Sequence, residues 1–546
     1  VGQVIGKIEI NESETKMKTN HPVSVPDSTD VLIVGYGPVG AAVAALLGRY
    51  GVKTLVIDKL CDVLLMPRAI ALDNEALRIL QMIGLAEDAF AKIVIPEVKM
   101  HCPYVGEFGR VNASGTIDGH PKLVTFYQPD LEHALRKQVG KFAHVNVLGG
   151  FELMGFEQDE EYVFVTIKGG QGDTFTVRSR YLVGADGASS KVRTLIGQDF
   201  QGQTYAEDWL IVDANKREGK SIDHIEFICD PRRPTPHMPA PGGRERWEFM
   251  LQPGESRENM EHPDTIAKLL APWVDAKDLS IERHAVYRFH ARCCERFQQG
   301  RVFLVGDAAH ITPPFVGQGL VAGLRDAANI AWKLAWVTRG HAPANILDSY
   351  DQERRPHAKK MIELAKFMGH MVMPKSALFA MTVHGMMKSI RIIPPAKTFF
   401  EELKIKPANR FQHGLFVKGA SRAKLIRGGQ LPQGEVSGQN EIACLSDDLM
   451  GEGFTIVGVG IDPLQVLDES SKDRWVKMGG QFLHLASDRS TQSYQRHSST
   501  AAAGDFIADL PHDWIIISRP DRVIMHEGPA DQAVNIVNQC LKMLNG

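Results

Sequence analysis

Three hydrophobic patterns divide the chain. Unbroken apolar runs that stop at glycine come first: "DVLIVGYGPVGAAVAALLGRYGVKTLVIDK", from Asp30 to Lys59, reads as strand, glycine turn, alanine-rich helix and second strand, a βαβ unit. "YLVGADGASSKVRTLIG" repeats the theme, its strand ending at Gly184, two serines able to cap a helix and Arg193 one turn in. "RVFLVGDAAHITPPFVGQGL" does so again, with two prolines and two glycines ahead of a long helical pattern. Between Trp209 and Arg288 the pattern turns to alternation in "DWLIVDA", "HIEFICD", "RWEFMLQ" and "RHAVYRF", which predicts the strands of a second sheet. Near the C-terminus, "GFTIVGVG", "QFLHLAS" and "DWIIISRPDRVIMHEG" predict further strands and "ADQAVNIVNQCLKMLNG" a final helix.

These patterns predict domains over residues 30-200, 201-295, 296-400 and 431-546, with a linker at 401-430. The chain of 546 residues is too long for one core. Residues 1-29 are polar, with no basic segment leading into an apolar stretch, and are expected to form a loose tail rather than a secretory signal. No window reaches the ~18 consecutive apolar residues that span a bilayer. The Met-rich piece from Met361 to Met387 is broken by Pro374 and by Lys and His, which favours adaptable packing or a hydrophobic lining over a membrane-surface helix.

Composition narrows the function classes. Lys+Arg number 62 against 65 Asp+Glu, a net charge of -3, which offers nothing to nucleic acid or to an acidic membrane. Seven cysteines, including the neighbours Cys293 and Cys294, form neither a disulfide framework nor a zinc spacing, and imply a reducing cytoplasm.

Gly35, Gly37 and Gly40 form G-x-G-x-x-G between strand and helix. The first makes the turn, the second admits a pyrophosphate to backbone N–H groups, and the third lets helix pack on strand. Asp58 closes the second strand at about the spacing that bonds a ribose. The fingerprint alone does not choose between NAD and FAD.

Together the three segments resemble, in order and spacing, the FAD-dependent aromatic hydroxylases, the single-component flavoprotein monooxygenases. "PRAIALDNEALRILQMIGL", "YQPDLEHALR", "RWEFMLQPGE", "RVFLVGDAAHITPPFVGQGL", "GLRDAANIAWKLAWV" and "SYDQERRPHA" look like their 3-(3-hydroxyphenyl)propionate hydroxylase branch, firmly over about residues 30 to 400. The resemblance implies a mixed α/β and α+β chain: a Rossmann-like FAD-binding domain interleaved with a β-sheet substrate domain, then a thioredoxin-like C-terminal domain. Cys444 and Cys540 form no C-x-x-C pair, so that last domain is expected to serve packing or dimerisation.

By resemblance, Asp307 bonds the ribityl chain of FAD, and Pro314, Gly317, Gln318, Gly319 and Leu320 run beside the flavin. Asp186 and Gly187 serve FAD and the nicotinamide cofactor. Pro38, Lys59, Arg68 and Gln128 join the cofactor-binding set, and Arg49 touches the adenosine. Two departures stand out: Asp58 replaces the more usual glutamate, and Val321 stands where relatives often carry asparagine, so an amide near the flavin is missing.

The chemistry implied is hydride transfer from NADH or NADPH to FAD, reaction with O2 to a flavin hydroperoxide, and attack on an electron-rich ring, ortho to an existing hydroxyl of a small phenolic acid. Asp73 aligns with a carboxylate that phenol hydroxylases place near the ring, and equally reads as a helix N-cap. Arg233, Tyr287 and His290 are the further candidate catalytic residues, with Arg246, His237 and Trp247 as possible contacts to a ring or carboxylate. A homodimer is expected by the same resemblance. Other phenols or hydroxy-heteroaromatic rings, an FAD-dependent epoxidase or reductase, and an inactive flavin-binding interaction protein stay open as alternatives.

Overall fold

The computed structural model describes residues 24–216, 221–275, 278–402, 406–421, 425–437, 443–486, 498–503 and 510–545. The expected tail therefore lies almost wholly outside the described residues, and the expected linker lies partly so.

The apolar runs become the parallel core of one sheet. Its order is Val145–Gly149, Thr54–Asp58, Ser28–Val34 and Thr174–Gly184, with Val302–Leu304 alongside the last. Burial on both faces explains their continuous hydrophobicity: residues 31–34, 55–57 and 302–304 are all buried. Helices Pro38–Arg49 and Gly319–Thr338 pack on this sheet through small residues. Thr174–Gly184 continues on its other edge into antiparallel Val163–Lys168 and Glu152–Gln158. Each glycine-terminated strand thus delivers its loop to the same C-terminal edge of the sheet, where open α/β sheets bind ligands.

The alternating runs form the second sheet, ordered His310–Ile311, Leu279–Cys294, Phe200–Lys216, Arg244–Met250, Thr235–Ala240, Ile225–Ile228, Glu97–Cys102 and Gly106–Asn112. The last two strands come from before residue 201, so this layer is assembled from separate stretches of chain. Period-two alternation gives the sheet two different faces. Leu210, Val212, Trp247 and Phe249 pack away from the first domain with Ile266 and Leu270 of helix Pro263–Leu270. The opposite face looks onto the glycine loops. The Met-rich piece is two helices, Ser349–Val372 and Ala377–Ile390, whose Met361, Met368 and Val372 line the space between the layers.

The C-terminal region carries its own sheet, ordered Ala443–Leu445, Glu435–Ser437, Ser498–Ala503, Gln481–Ala486, Thr455–Val459, Trp514–Ser518 and Ile524–Pro529. Thr455–Val459 runs parallel to Gln481–Ala486 and antiparallel to Trp514–Ser518, and helix Ala533–Asn545 follows the last hairpin. This region shares a core with the first domain: the Trp332 and Trp336 rings meet Phe454 edge-on at 5.3 and 5.6 Å. Buried Arg519 pairs with Glu353 at 2.7 Å, and Arg78 with Asp447 at 2.8 Å. No described helix is long and apolar enough to cross a membrane.

Candidate active site

The first glycine loop is shaped by two close approaches and one open space. Gly35 has φ +103°, and a Cβ there would lie 2.4 Å from the Ala185 carbonyl oxygen. A Cβ on Gly40 would lie 2.0 Å from the Gly35 oxygen. Gly37 is different: its φ of -69° suits any residue, and a Cβ would meet nothing within 4 Å. Protein packing does not require glycine there, whereas a group approaching the N-terminus of Pro38–Arg49 does. Pro38 occupies the first helical turn, and the Asp58 carboxylate braces the loop by accepting from the Tyr36 N–H at 2.6 Å and the Leu60 N–H at 2.8 Å.

The second and third loops are stitched together. Asp186 accepts from the N–H groups of Lys191 and Val192, at 2.7 and 3.1 Å, and from the Ser190 hydroxyl. Gly187 follows at φ +76°. Arg193 donates to the carbonyls of Ala188 and Ala308, tying the 186 loop to the 307 loop. Behind that loop, buried Asp326 takes bonds from His310 Nε2, Arg354 Nε and the Gly306 N–H. Asp307 itself has no hydrogen-bond partner among the described residues, and burial raises its carboxyl above the usual range against the opposing charges of Arg68 and His310. Pro314 opens a short 3-10 turn that ends at Gly317, φ +62°, and the long helix begins at Gly319. Gln128 Oε1 accepts from the Arg68 and Ala69 N–H groups at 2.8 and 2.9 Å, fixing the strand entry on the far side.

One cavity of about 1590 Å³ joins these loops to the second sheet. It exceeds the roughly 300–1,000 Å³ typical of a site for one small ligand. Gly35, Gly37, Pro38, Asp58, Lys59, Arg68, Gln128, Asp186, Gly187, Asp307, Pro314, Gly317, Gln318, Gly319 and Leu320 all line it. The open space at Gly37, the unpartnered Asp307 and two helix N-termini fit a large dinucleotide with room left for a second molecule.

At the sheet end the lining is largely apolar, including Met100, Phe227, Met238, Phe289 and Phe315, with a few polar groups among them. Tyr287 lines it, its hydroxyl 2.5 Å from Arg283 Nη2, and Arg283 also pairs with Asp213 at 2.8 Å. His290 lines it with Nδ1 3.1 Å from Thr204 Oγ1; burial, then the charges of Arg292 and Arg288, lower its pKa. Glu248, only 7% exposed, also lines it and has no hydrogen-bond partner among the described residues. Burial pushes its carboxyl up to about 7; Arg246 and Arg283 oppose the rise and Asp213 adds to it.

Asp73 lines the cavity and is also a helix cap. Its Oδ1 accepts from the Ala76 N–H at 2.9 Å, opening helix Asn74–Ile83. Its Oδ2 accepts from Lys406 Nζ at 2.7 Å and from Gln318 Nε2 and Arg325 Nη2 at 3.0 Å each. Burial alone would raise its pKa, but Lys406 and Arg325 outweigh burial and hold the carboxyl well below the usual range. A carboxylate so held stays ionised through neutral pH and anchors the Gln318 loop.

Other candidates lie off the cavity. Arg233 does not line it, its guanidinium being closed by Glu255 at 2.6 and 3.0 Å and by the Met250 carbonyl at 2.8 Å. His237 and Trp247 occupy the opposite sheet face: His237 sits between Glu226 and Glu245 at 3.0 and 2.7 Å, stacked on Trp247 at 4.6 Å. Arg246 is buried on Asp213 and on the carbonyls of Pro67 and Arg68, as a loop anchor. Arg49 ends a helix of 12 residues, about 18 Å from its N-terminus at the glycine loop, and pairs with Glu452 of the C-terminal region. Val321 is fully buried among core residues, and Cys293 and Cys294 are buried free thiols. Arg193, Glu248, Arg283 and Lys406 escaped the sequence reading of the site, although alternation in "RWEFM" already put Arg246 and Glu248 on one face.

Residues 28–365 match the family model described as FAD binding domain, and residues 428–543 match the model described as HcaD C-terminal domain. The chain is 35% identical over 509 residues to 3-(3-hydroxy-phenyl)propionate/3-hydroxycinnamic acid hydroxylase 2 of Burkholderia vietnamiensis, covering 91% of this chain and 93% of that one. It is 32% identical over 575 residues to the hydroxylase of that name from Comamonas testosteroni, covering 95% and 97%. Among solved structures it is similar to the flavin-dependent monooxygenase PieE in complex with FAD and substrate, with a TM-score of 0.80 at 21% identity, covering 95% of this chain and 100% of that one.

Proposed function

The chain belongs to the single-component FAD-dependent aromatic hydroxylases, and from that premise we propose that it uses NADH or NADPH and O2 to hydroxylate a small phenolic acid ortho to an existing ring hydroxyl. The names of its relatives favour a 3-(3-hydroxyphenyl)propionate-like substrate. The observation that carries this reading is the continuity of the cavity, from the glycine fingerprint and Asp307 at one end to the apolar face of the second sheet at the other.

FAD, when bound, supplies the redox and oxygen chemistry. The chain's own residues bind, orient and exclude water. Gly37 and the N-terminus of Pro38–Arg49 receive the pyrophosphate, and Asp58 and Asp307 receive hydroxyls of the cofactor's sugar and ribityl parts. The turn from Pro314 to Gly319, anchored through Gln318 on Asp73 and Arg325, would hold the cofactor's ring system. Its helix N-terminus favours negative charge at that point. Asp186 and Gly187 shape a cavity-lining loop that would serve FAD and the nicotinamide co-substrate. Tyr287, oriented by Arg283, and His290 present hydrogen-bonding groups to the substrate. Met361, Met368, Phe289 and Phe315 keep the reacting end dry. Arg233 we assign to positioning, through Glu255 and the Met250 carbonyl.

We read the C-terminal domain as thioredoxin-like. Its central strands run β-α-β and then β-β-α in the order Gln481–Ala486, Thr455–Val459, Trp514–Ser518 and Ile524–Pro529, which supports that assignment. Its packing on Trp332 and Trp336 supports a structural role.

The test is NADH and NADPH oxidation by the FAD-loaded protein with and without a panel of phenolic acids, with hydroxylated product and peroxide assayed together. One compound that stimulates oxidation and yields matching product supports the reading. Peroxide alone, or no stimulation by any phenol, counts against it.

A further inference from the structure

Glu248 is the one buried carboxyl of the cavity's sheet face left without a hydrogen-bond partner among the described residues. It sits on strand Arg244–Met250, across from Ile211, and shares the cavity lining with Pro236 and Met238. Trp247 and Phe249 on either side of it point into the core behind the sheet, so alternation aims Glu248 toward the cavity. A carboxyl that is 7% exposed and lacks a partner is costly unless a ligand supplies one.

The charged groups around it define what that ligand group is. Arg246 on the same strand, Asp213 on Phe200–Lys216 and Arg283 on Leu279–Cys294 face it; strand Thr235–Ala240 contributes only Pro236 and Met238 to this face. Both arginines already share the Asp213 carboxylate and the Pro67 carbonyl. A substrate carboxylate placed here would meet another acid, beside two arginines already paired with Asp213 and with only Arg283 Nε left without a partner. A ring hydroxyl would meet an acceptor.

We propose that Glu248 accepts a hydrogen bond from the ring hydroxyl of the substrate, orienting the phenol with its acid tail turned away from this end of the cavity. This rests on the aromatic-hydroxylase reading above and deepens it, since the same bond draws the hydroxyl proton away from the ring and enriches the carbons beside it. With its carboxyl raised to about 7, Glu248 changes charge near neutrality, and the ionised form makes the stronger, charge-assisted bond.

The test measures binding by calorimetry on the FAD-loaded protein, comparing 3-(3-hydroxyphenyl)propionate with 3-phenylpropionate, which carries hydrogen in place of the hydroxyl. At pH 8 the wild type is expected to bind the phenol on the order of 10- to 100-fold more tightly. That preference should shrink at pH 6 and fall to near parity in Glu248→Leu, with Glu248→Gln retaining part of it and losing its pH dependence. No preference in the wild type, or an undiminished preference in Glu248→Leu with a normal flavin spectrum, overturns the proposal, as does failure of both rings to bind. A preference that follows Glu248 while no phenol yields hydroxylated product leaves this subsite standing and removes the monooxygenase reading instead.

Discussion

Lys406 Nζ lies 2.7 Å from Asp73 Oδ2, so a lysine from the segment ahead of the C-terminal sheet closes a buried cluster begun by the N-cap of an early helix. Arg325 and Lys406 there balance Asp73 and Glu75, and Gln318 ties the group to the cavity-lining turn from Pro314 to Gly319. Removing one member of a buried ion group leaves its partners uncompensated. Lys406→Met is expected to lower unfolding stability by about 3 kcal/mol in urea titrations. It should also weaken FAD retention on dilution. Unchanged stability together with unchanged retention would mean that the cluster is not what holds the loop.

Asp73 reads by resemblance as a carboxylate near the substrate ring, where it could act as a base, and its surroundings give that role a direct check. Lys406 and Arg325 hold its carboxyl far below neutrality, so its stabilising contribution is present above the ordinary carboxylate range and is lost as pH falls through its lowered folded value. Asp73→Asn should therefore lower stability and FAD affinity at pH 7 while leaving in place any limb of the pH–rate profile between 6 and 9. Disappearance of such a limb in Asp73→Asn would restore the base assignment.

Gly37 and Gly40 separate cofactor binding from folding. A Cβ on Gly37 meets only open space at an ordinary φ, so Gly37→Ala should fold with an unchanged melting temperature in the absence of FAD but, with the pyrophosphate in that space as proposed, bind FAD at least ~10-fold more weakly. Gly40→Ala drives a Cβ into the Gly35 carbonyl and should fail at the level of soluble, folded protein. Equal FAD affinity in Gly37→Ala and wild type would place the pyrophosphate elsewhere.

The loops were legible in the sequence because backbone geometry dictates them: strands buried on both faces must read as apolar runs, and glycine must stand where Gly35 and Gly40 touch other backbone. The second sheet was legible for a similar reason, since one of its faces is solid core. The polar residues within it were not. Arg233 reads as a candidate carboxylate binder and Arg283 carries no such signal, and only the fold shows that Arg233 is closed by Glu255 while Arg283 lines the cavity. Lys406 lies 333 positions from Asp73, a pairing without local signature. The Glu248 signal was present in its alternation with Arg246, but a single carboxylate on a strand reads first as a solvated face.

Arg519 fastens the C-terminal region to helix Ser349–Val372 through Glu353, at 2.7 and 3.0 Å, and pairs with Asp521 on its own turn. Buried Lys333 and Asn329 complete the group. Arg519→Met should cost about 3 to 5 kcal/mol, because Glu353 and Asp521 are left as buried carboxylates with too little positive charge. Adding Glu353→Met should recover part of that loss. Fully additive losses in thermal melts would argue that the two side chains do not act as a unit.

Glu248 also makes a prediction that needs no ligand. Its carboxyl is raised from 4.5 to about 7 in the folded protein, chiefly by burial, so between those values the folded chain holds a proton that the unfolded chain has released. Stability must then fall as pH rises through that window, by about 3 kcal/mol for this one group at ~1.4 kcal/mol per pH unit. Glu248→Gln removes the titration and keeps the shape. The difference in unfolding free energy between variant and wild type should be small and constant below pH 4.5, grow in the variant's favour from about pH 5 to 7, and level off above that. Urea titrations at half-unit pH steps, wild type minus variant, isolate the term from every other ionising group. Parallel stability curves across the window would mean that water or a rearranged arginine already satisfies the carboxylate, and that the cavity presents no acid titrating near neutrality to a bound ring.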